Sequence, residues 1–304
     1  MFDIVKNKMI FFGIALLILV TGTISYFVQG FNLDIDFTGG VIVTYELGQE
    51  FDTTEAEAIA REAVGEYLSS VQATEGLGAK TAVYIKFAYE SDLNTKDERE
   101  DFATDRITAL TAALNEKYGE DKVEVLTQDD VSPSTGIELA KNAVLMASLA
   151  ALAMLIYIAF RFEFVSGAAA VISLIYNIGV MFTVYTLFRV PVNTSLIAAI
   201  LTVLGYCIND TIVIFDRIRE NTRHAKKETY SSIVNKSIWQ TMNRSINTVL
   251  TSVITILVLY ILGVPSIKEF SFPIIIGMIS GAYSSIFMAS PLWATWKELG
   301  VKKK

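Results

Sequence analysis

Leu204-Gly205-Tyr206-Cys207-Ile208-Asn209-Asp210-Thr211-Ile212-Val213-Ile214-Phe215 places a carboxylate, Asp210, inside an otherwise apolar run. Such a run is expected to cross a membrane as a helix. An acid at its centre costs about 2.5–3.5 kcal/mol, so it is kept for a partner or a task. A base, Arg244, opens the next apolar run. An acid and a base on two neighbouring spans point to an ion-driven machine rather than a passive anchor.

Working outward, 52% of the chain is hydrophobic and the excess falls in blocks. Each block is about the 17–25 residues that a helix needs to span a bilayer. Six spans are predicted: 9–28, 138–160, 164–188, 193–215, 244–263 and 270–295. The first is read as an uncleaved anchor, because its apolar run exceeds a signal-peptide core and no Ala-x-Ala site follows. The fold class is therefore membrane α-helical with six transmembrane helices. A small α+β extracytoplasmic domain, 29–137, is inserted between the first and second.

Basic residues orient the chain. Lys6 and Lys8 lie in the N-terminal segment 1–8. Arg217, Arg219, Arg223, Lys226, Lys227 and Lys236 lie in 216–243, and Lys297, Lys302, Lys303 and Lys304 in the tail 296–304. All share one side if both termini are cytoplasmic. The net charge of −7 divides unevenly: residues 31–137 carry 23 acidic and 8 basic side chains, a net −15, leaving +8 to the rest. An acidic domain of this kind excludes nucleic acid as a partner, since phosphate binding needs the opposite sign. The single cysteine, Cys207, excludes an intrachain disulfide.

In the inserted domain, strands are expected near 41–45, 81–87 and 122–126. Helices are expected over 54–70, with Thr54 as N-cap, and over 96–118. The order β-α-β-α-β predicts helices packed on one sheet face. The polar segment 216–243 is read either as a solvated loop helix or as an amphipathic helix at the cytoplasmic interface.

Chemistry concentrates in the membrane. Arg244, Asn247, Thr248, Thr251, Ser252 and Thr255 recur at helical spacing on one face of the fifth span. A polar stripe there must face protein or water. It reads as a hydrated path beginning at Arg244, with interhelical hydrogen bonding of the stripe and snorkelling of Arg244 to the interface as the alternatives. Asn209 beside Asp210, and Ser173, Tyr176 and Asn177 on the third span, extend the polar set. Gly277-x-x-x-Gly281 on the sixth span predicts close helix packing. Gly78-Ala79-Lys80-Thr81 lacks the glycine pattern of a phosphate loop. The lone His224 offers no metal cluster or triad. No catalytic residue, metal or cofactor is expected.

Three motifs then carry a resemblance that covers essentially the whole chain. Asp36-Phe37-Thr38-Gly39-Gly40 follows the first span, Val131-Ser132-Pro133-Ser134-Thr135-Gly136-Ile137-Glu138-Leu139 enters the second, and Gly205 to Asn221 reads GYCINDTIVIFDRIREN. The chain resembles the SecF family of bacterial protein-export membrane subunits. That resemblance implies an RND-like half-transporter and a SecD partner. It further implies the SecYEG channel and YajC as associates, a translocating polypeptide as the load, and the bacterial cytoplasmic membrane as the location. It also implies that Asp210 and Arg244 serve ion-coupled work driven by protons or sodium. The family often carries His-Asp where this chain reads Tyr176-Asn177, which leaves room for a different coupling ion. The rival reading is half of an RND-like exporter of small molecules or lipids.

Physically, a buried carboxyl favours its neutral form and a nearby cation favours the charged one. Asp210 is thus expected to take up a proton when Arg244 withdraws and to release it when Arg244 returns. Gly39 and Gly40 are candidate hinges for the external domain, with a fixed turn or close strand packing as the alternative.

Overall fold

The computed structural model describes residues 2–74, 81–90, 93, 95–119, 122–225 and 228–302. Six helical stretches in it are long and apolar enough to cross a membrane. The first is α1 (Lys8–Gln29), and a short α2 (Ile35–Thr38) follows it. The sheet domain comes next in sequence: β1 (Gly40–Glu46), α3 (Thr53–Val64), β2 (Leu68–Thr74), β3 (Ala82–Ala88), α4 (Lys96–Tyr118) and β4 (Glu124–Val131). The remaining helices are α5 (Pro133–Arg161), α6 (Phe164–Leu187), α7 (Thr194–His224), α8 (Tyr230–Leu262) and α9 (Pro265–Ser284). A π-helical turn, Ser285–Ala289, joins α9 to α10 (Ser290–Lys302).

The sheet has four antiparallel strands in the order β2-β3-β1-β4, one more than expected. The extra strand, β2, begins within the last three residues, 68–70, assigned above to a helix. Helix α3 stops at Val64 because Gly65 adopts a left-handed φ of 71°, a conformation open to glycine. The cap at its start also differs: Asp52, not Thr54, accepts the bond, from Thr54 N at 2.8 Å. Helix α4 matches its expected bounds, and a Thr95–Glu98 capping box explains its start. The third expected strand runs later, as β4. Val43, Tyr45, Ile85 and Phe87 meet Ala56, Ala60, Leu110 and Leu114 in one core. Both helices therefore cover one sheet face, as the pattern predicts, and each fully buried Leu or Phe contributes about 1.5–3 kcal/mol.

The segment 216–243 is not a separate helix. Helix α7 continues to His224, and α8 starts at Tyr230 and runs unbroken through the fifth span. The cause is packing. Val234 and Ile238 have neighbours to bury against, namely Ile4, Val5, Ile214, Phe215, Ile218 and Trp293. Residues 296–302 of the expected tail likewise continue α10. The Ile4 amide donates to Asn235 Oδ1 at 2.9 Å and Lys8 Nζ donates to Thr295 Oγ1 at 2.8 Å. Both ends of the chain thus gather at the end of the bundle away from the sheet domain. Gly78, Ala79 and Lys80, and the basic residues Lys226, Lys227, Lys303 and Lys304, lie outside the described residues.

The predicted close approach along the sixth span is present. A Cβ added to Gly281 would lie 2.1 Å from Cys207 Sγ, and one on Gly277 would lie 2.4 Å from Val203 Cγ2. Only glycine lets α9 come this close to α7, and this seam backs the Asp210 turn.

Candidate ion-coupling site

Asp210 sits on α7, buried at 8% exposure, with Ser245 and Arg244 of α8 as its polar neighbours. Asp210 and Arg244 line one cleft of about 110 Å³ together with Tyr206, Asn209, Val213, Thr248 and Val249. That volume accommodates several waters. Among the described residues, no ion pair within 4.0 Å joins the acid to the base. Ser245 faces the Asp210 carboxylate, but the pair does not reach hydrogen-bond geometry, and Asp210 Oδ2 and Ser245 Oγ stay buried without a partner. Unpaired buried polar atoms are rare in folded proteins, and each calls for an explanation such as an ion, water or a moving partner.

A second polar residue backs the first. Asn177 of α6 is fully buried and faces Cys207, but neither its Nδ2 nor its Oδ1 reaches hydrogen-bond geometry with a partner. Tyr176 is buried next to it, 6.1 Å from the Tyr283 ring centre. The hydroxyl of Thr211, adjacent to Asp210, shares a 2.8 Å hydrogen bond with Ser285 Oγ. Ser285 opens the π-helical turn, a local break in helix register that recurs at functional sites.

The polar stripe of α8 lies open. Arg244, Asn247, Thr248, Thr251 and Thr255 are exposed, Ser252 is half-buried, and Asn209 is exposed on the neighbouring helix. Thr248, Thr251 and Thr255 hydroxyls donate to carbonyls of their own helix, at 2.8, 2.9 and 3.0 Å. The Tyr206 hydroxyl donates to Thr248 O at 3.0 Å and ties the two helices. The structure brings Asp210, Asn209, Arg244 and Thr248 into one cleft. Asn247, Thr251 and Ser252 continue away from it, and Asn177 lies on the other side of α7.

The DFTGG segment is a separate construction. Asp36 Oδ2 accepts from Thr194 N at 2.9 Å and from Thr194 Oγ1 at 2.7 Å, so its charge sits on the positive end of α7. Phe37 lines an apolar groove between α5, α6 and α7. Thr38 Oγ1 donates to Asp34 O at 3.3 Å. Gly39 caps α2 with a φ of 79°, and a Cβ on Gly40 would lie 2.3 Å from the Phe87 carbonyl. The glycine pair is packed against β3, in keeping with the packing alternative weighed above.

Comparison with known proteins now adds to this geometry. Residues 110–299 match the family model described as "Protein export membrane protein SecD/SecF, C-terminal". The chain belongs to the SecD/SecF family. A SecF translocase subunit from Alicyclobacillus acidocaldarius is 37% identical over 99% of this chain and 95% of its own length. The SecDF subunit of Bacillus subtilis is 34% identical over 99% of this chain, but this chain spans only 39% of it. The crystal structure of SecDF from Thermus thermophilus superposes with a TM-score of 0.77 at 29% identity. The match covers 98% of this chain and 39% of that one. With six apolar helices and SecF relatives, this SecD/SecF-family chain is a multi-pass membrane protein.

Sequence reasoning missed Ser245, Thr211 and Ser285. Ser245 follows Arg244 but faces inward, and only the helix phase against α7 distinguishes it. The Ser284-Ser285 pair carries no local signal of a π-helical turn.

Proposed function

We propose that this chain is the SecF-type half of a bacterial protein-export complex. It works with a SecD-type partner at the Sec channel, SecYEG, with YajC as a further associate. It uses a proton or sodium gradient, sensed at Asp210, to assist polypeptide across the cytoplasmic membrane. The termini face the cytoplasm and the sheet domain stands on the outer side.

The relatives named SecF support the export role, and the single-chain SecDF relatives support a SecD-type partner. The open polar stripe on α8 supports the same partner, because Asn247, Thr251 and Thr255 would otherwise meet lipid. The basic termini and the 216–236 segment support the orientation.

The observation that carries the coupling role is the state of Asp210: buried, in one cleft with Arg244, and unpaired at Oδ2. A carboxylate locked to its base cannot easily cycle; one held beside its base can. Moving one charge through about 100 mV is worth roughly 2.3 kcal/mol, enough to shift a two-state helix arrangement more than tenfold. Asn247, Thr248 and Thr251 extend the polar surface along which an ion reaches the cleft.

The test is ion conductance of the chain with its SecD-type partner in vesicles. Asp210→Asn is expected to abolish gradient-dependent conductance. Conductance at the parent level in that variant rules out Asp210 as the coupling group.

A further inference from the structure

A buried lysine bridges the sheet domain to the membrane helices. Lys86 lies on the face of β3 opposite the core residues Val83, Ile85 and Phe87, where a solvent-facing side chain is the ordinary outcome. Instead its side chain is 4% exposed. Its Nζ stands 2.9 Å from Asp34 Oδ2 and 3.1 Å from Glu269 Oε1.

The surrounding bonds hold both carboxylates from several sides, while the neutral Ser70 Oγ across from Lys86 has no partner. Asp34 Oδ1 accepts from the Ile35 amide at 2.8 Å and from Ser69 Oγ at 3.1 Å. Glu269 Oε1 also accepts from Gln72 Nε2 at 3.2 Å, and Oε2 accepts from Asn193 Nδ2 at 2.6 Å. Asn193 is in turn the N-cap of α7, accepting from Leu196 N at 3.1 Å. The Asp34 amide donates to Val192 O at 2.9 Å. The partners thus come from the segment after α1, from β2 and β3 of the sheet domain, and from the outer ends of α7 and α9.

We propose that Lys86, Asp34 and Glu269 form a latch that makes the sheet domain follow the ends of α7 and α9. This rests on the coupling role given to Asp210. Lys86 is a positioning residue: it touches neither ion path nor polypeptide, and acts by holding one body to another. Helix α7 contains no proline or break from Thr194 to His224, so it links the latch rigidly to Asp210, about 24 Å along it at 1.5 Å per residue. Helix α9 differs. Pro273 lies within it and cannot donate to the Glu269 carbonyl, and the π-helical turn lies beyond. The latch therefore clamps the stiff helix to the one built to bend.

The experiment uses the full chain with its SecD-type partner. Spin labels are placed at Glu62→Cys on α3 and Ser266→Cys on α9, in a Cys207→Ala background. Label distance, gradient-dependent ion conductance and gradient-driven export are read in the background chain, in Lys86→Met, and in the neutral triple variant Lys86→Met, Asp34→Asn, Glu269→Gln. The last keeps side-chain volume and leaves no buried charge unpaired, so it decides the matter if the single variant does not fold. The expected result is one narrow distance in the background chain and a broad one in the variants. Conductance is retained, and gradient-driven export falls about fivefold or more. A narrow distance with undiminished export in the folded triple variant overturns the latch. So does a loss of conductance matching the loss of export, which would place Lys86 in the ion path. The distance readout needs no ion coupling. If Asp210→Asn leaves export undiminished, the coupling role fails while the latch is still judged by the labels.

Discussion

Two buried charge clusters sit at opposite parts of the same helix and are built in opposite ways. Around Lys86, the cation holds two carboxylates within 3.1 Å, and these accept from two amide side chains, a hydroxyl and a backbone amide; the neutral Ser70 Oγ beside them has no partner. Around Asp210, the acid, Ser245 and Asn177 all leave polar atoms unpaired, and the base stands in the same cleft without an ion pair. The first arrangement resists change because any movement exposes a charge without its counter-charge. The second has little to lose by moving. Charge buried for holding and charge buried for switching are thus told apart by whether the counter-charge is in contact rather than by depth.

That contrast has measurable consequences. Lys86→Ala leaves two carboxylates facing each other in a buried site and should destabilise the protein by about 3–5 kcal/mol, the usual cost of breaking a buried pair. Asp210→Asn should cost less than about 1 kcal/mol, since it removes a charge with few bonds. Denaturant unfolding of both variants in micelles checks this, and equal costs would erase the distinction. A smaller effect is expected along the seam that connects the clusters. Gly281→Leu drives a side chain into Cys207 and should cost about 1–3 kcal/mol, as overpacking does, with partial rescue by Cys207→Gly.

The smallest effect is a null with a definite sign. Burial pushes the Lys86 pKa down, but Asp34 and then Glu269 outweigh it and hold the group above its ordinary value of 10.5. A raised lysine contributes stability that is fully present below that ordinary value and is lost only as pH rises through the raised one. Lys86 therefore adds no pH dependence to domain attachment between about pH 6 and 9. Hydrogen exchange of β3 and α2, corrected for intrinsic rates, should show equal protection across that range. A steady loss of protection towards pH 9 would mean that Lys86 is not held as a cation.

Much of the membrane layout was legible from residue order. Span lengths follow from bilayer thickness, and the Asp210–Arg244 neighbourhood follows from two consecutive spans. The α8 stripe follows from helical spacing, and the Gly277–Gly281 approach from side-chain size. The sheet domain was less so. Strand β2, reading Leu68-Ser-Ser-Val-Gln-Ala-Thr, carries too little apolar alternation to stand out, and the glycine that ends α3 was passed over. The latch was invisible because its signal is not local. Lys86 occupies the polar phase of an alternating strand, as any surface lysine would. Glu269 reads as an acid at the rim of an apolar helix. Only the fold sets Asp34 against Lys86 and Asn193 against Glu269. The extensions of α7 and α8 beyond the expected spans were hidden for a related reason: their apolar residues serve each other, and a single helix read alone cannot show its partner.

The central contention is that Asp210 is the charge that moves. It is settled by export driven by an imposed ion gradient in vesicles holding the chain, its SecD-type partner and the Sec channel, compared between parent and Asp210→Asn. The gradient-dependent part of export should fall at least tenfold in the variant, with gradient-independent export intact. Equal stimulation by the gradient in both proteins would contradict it.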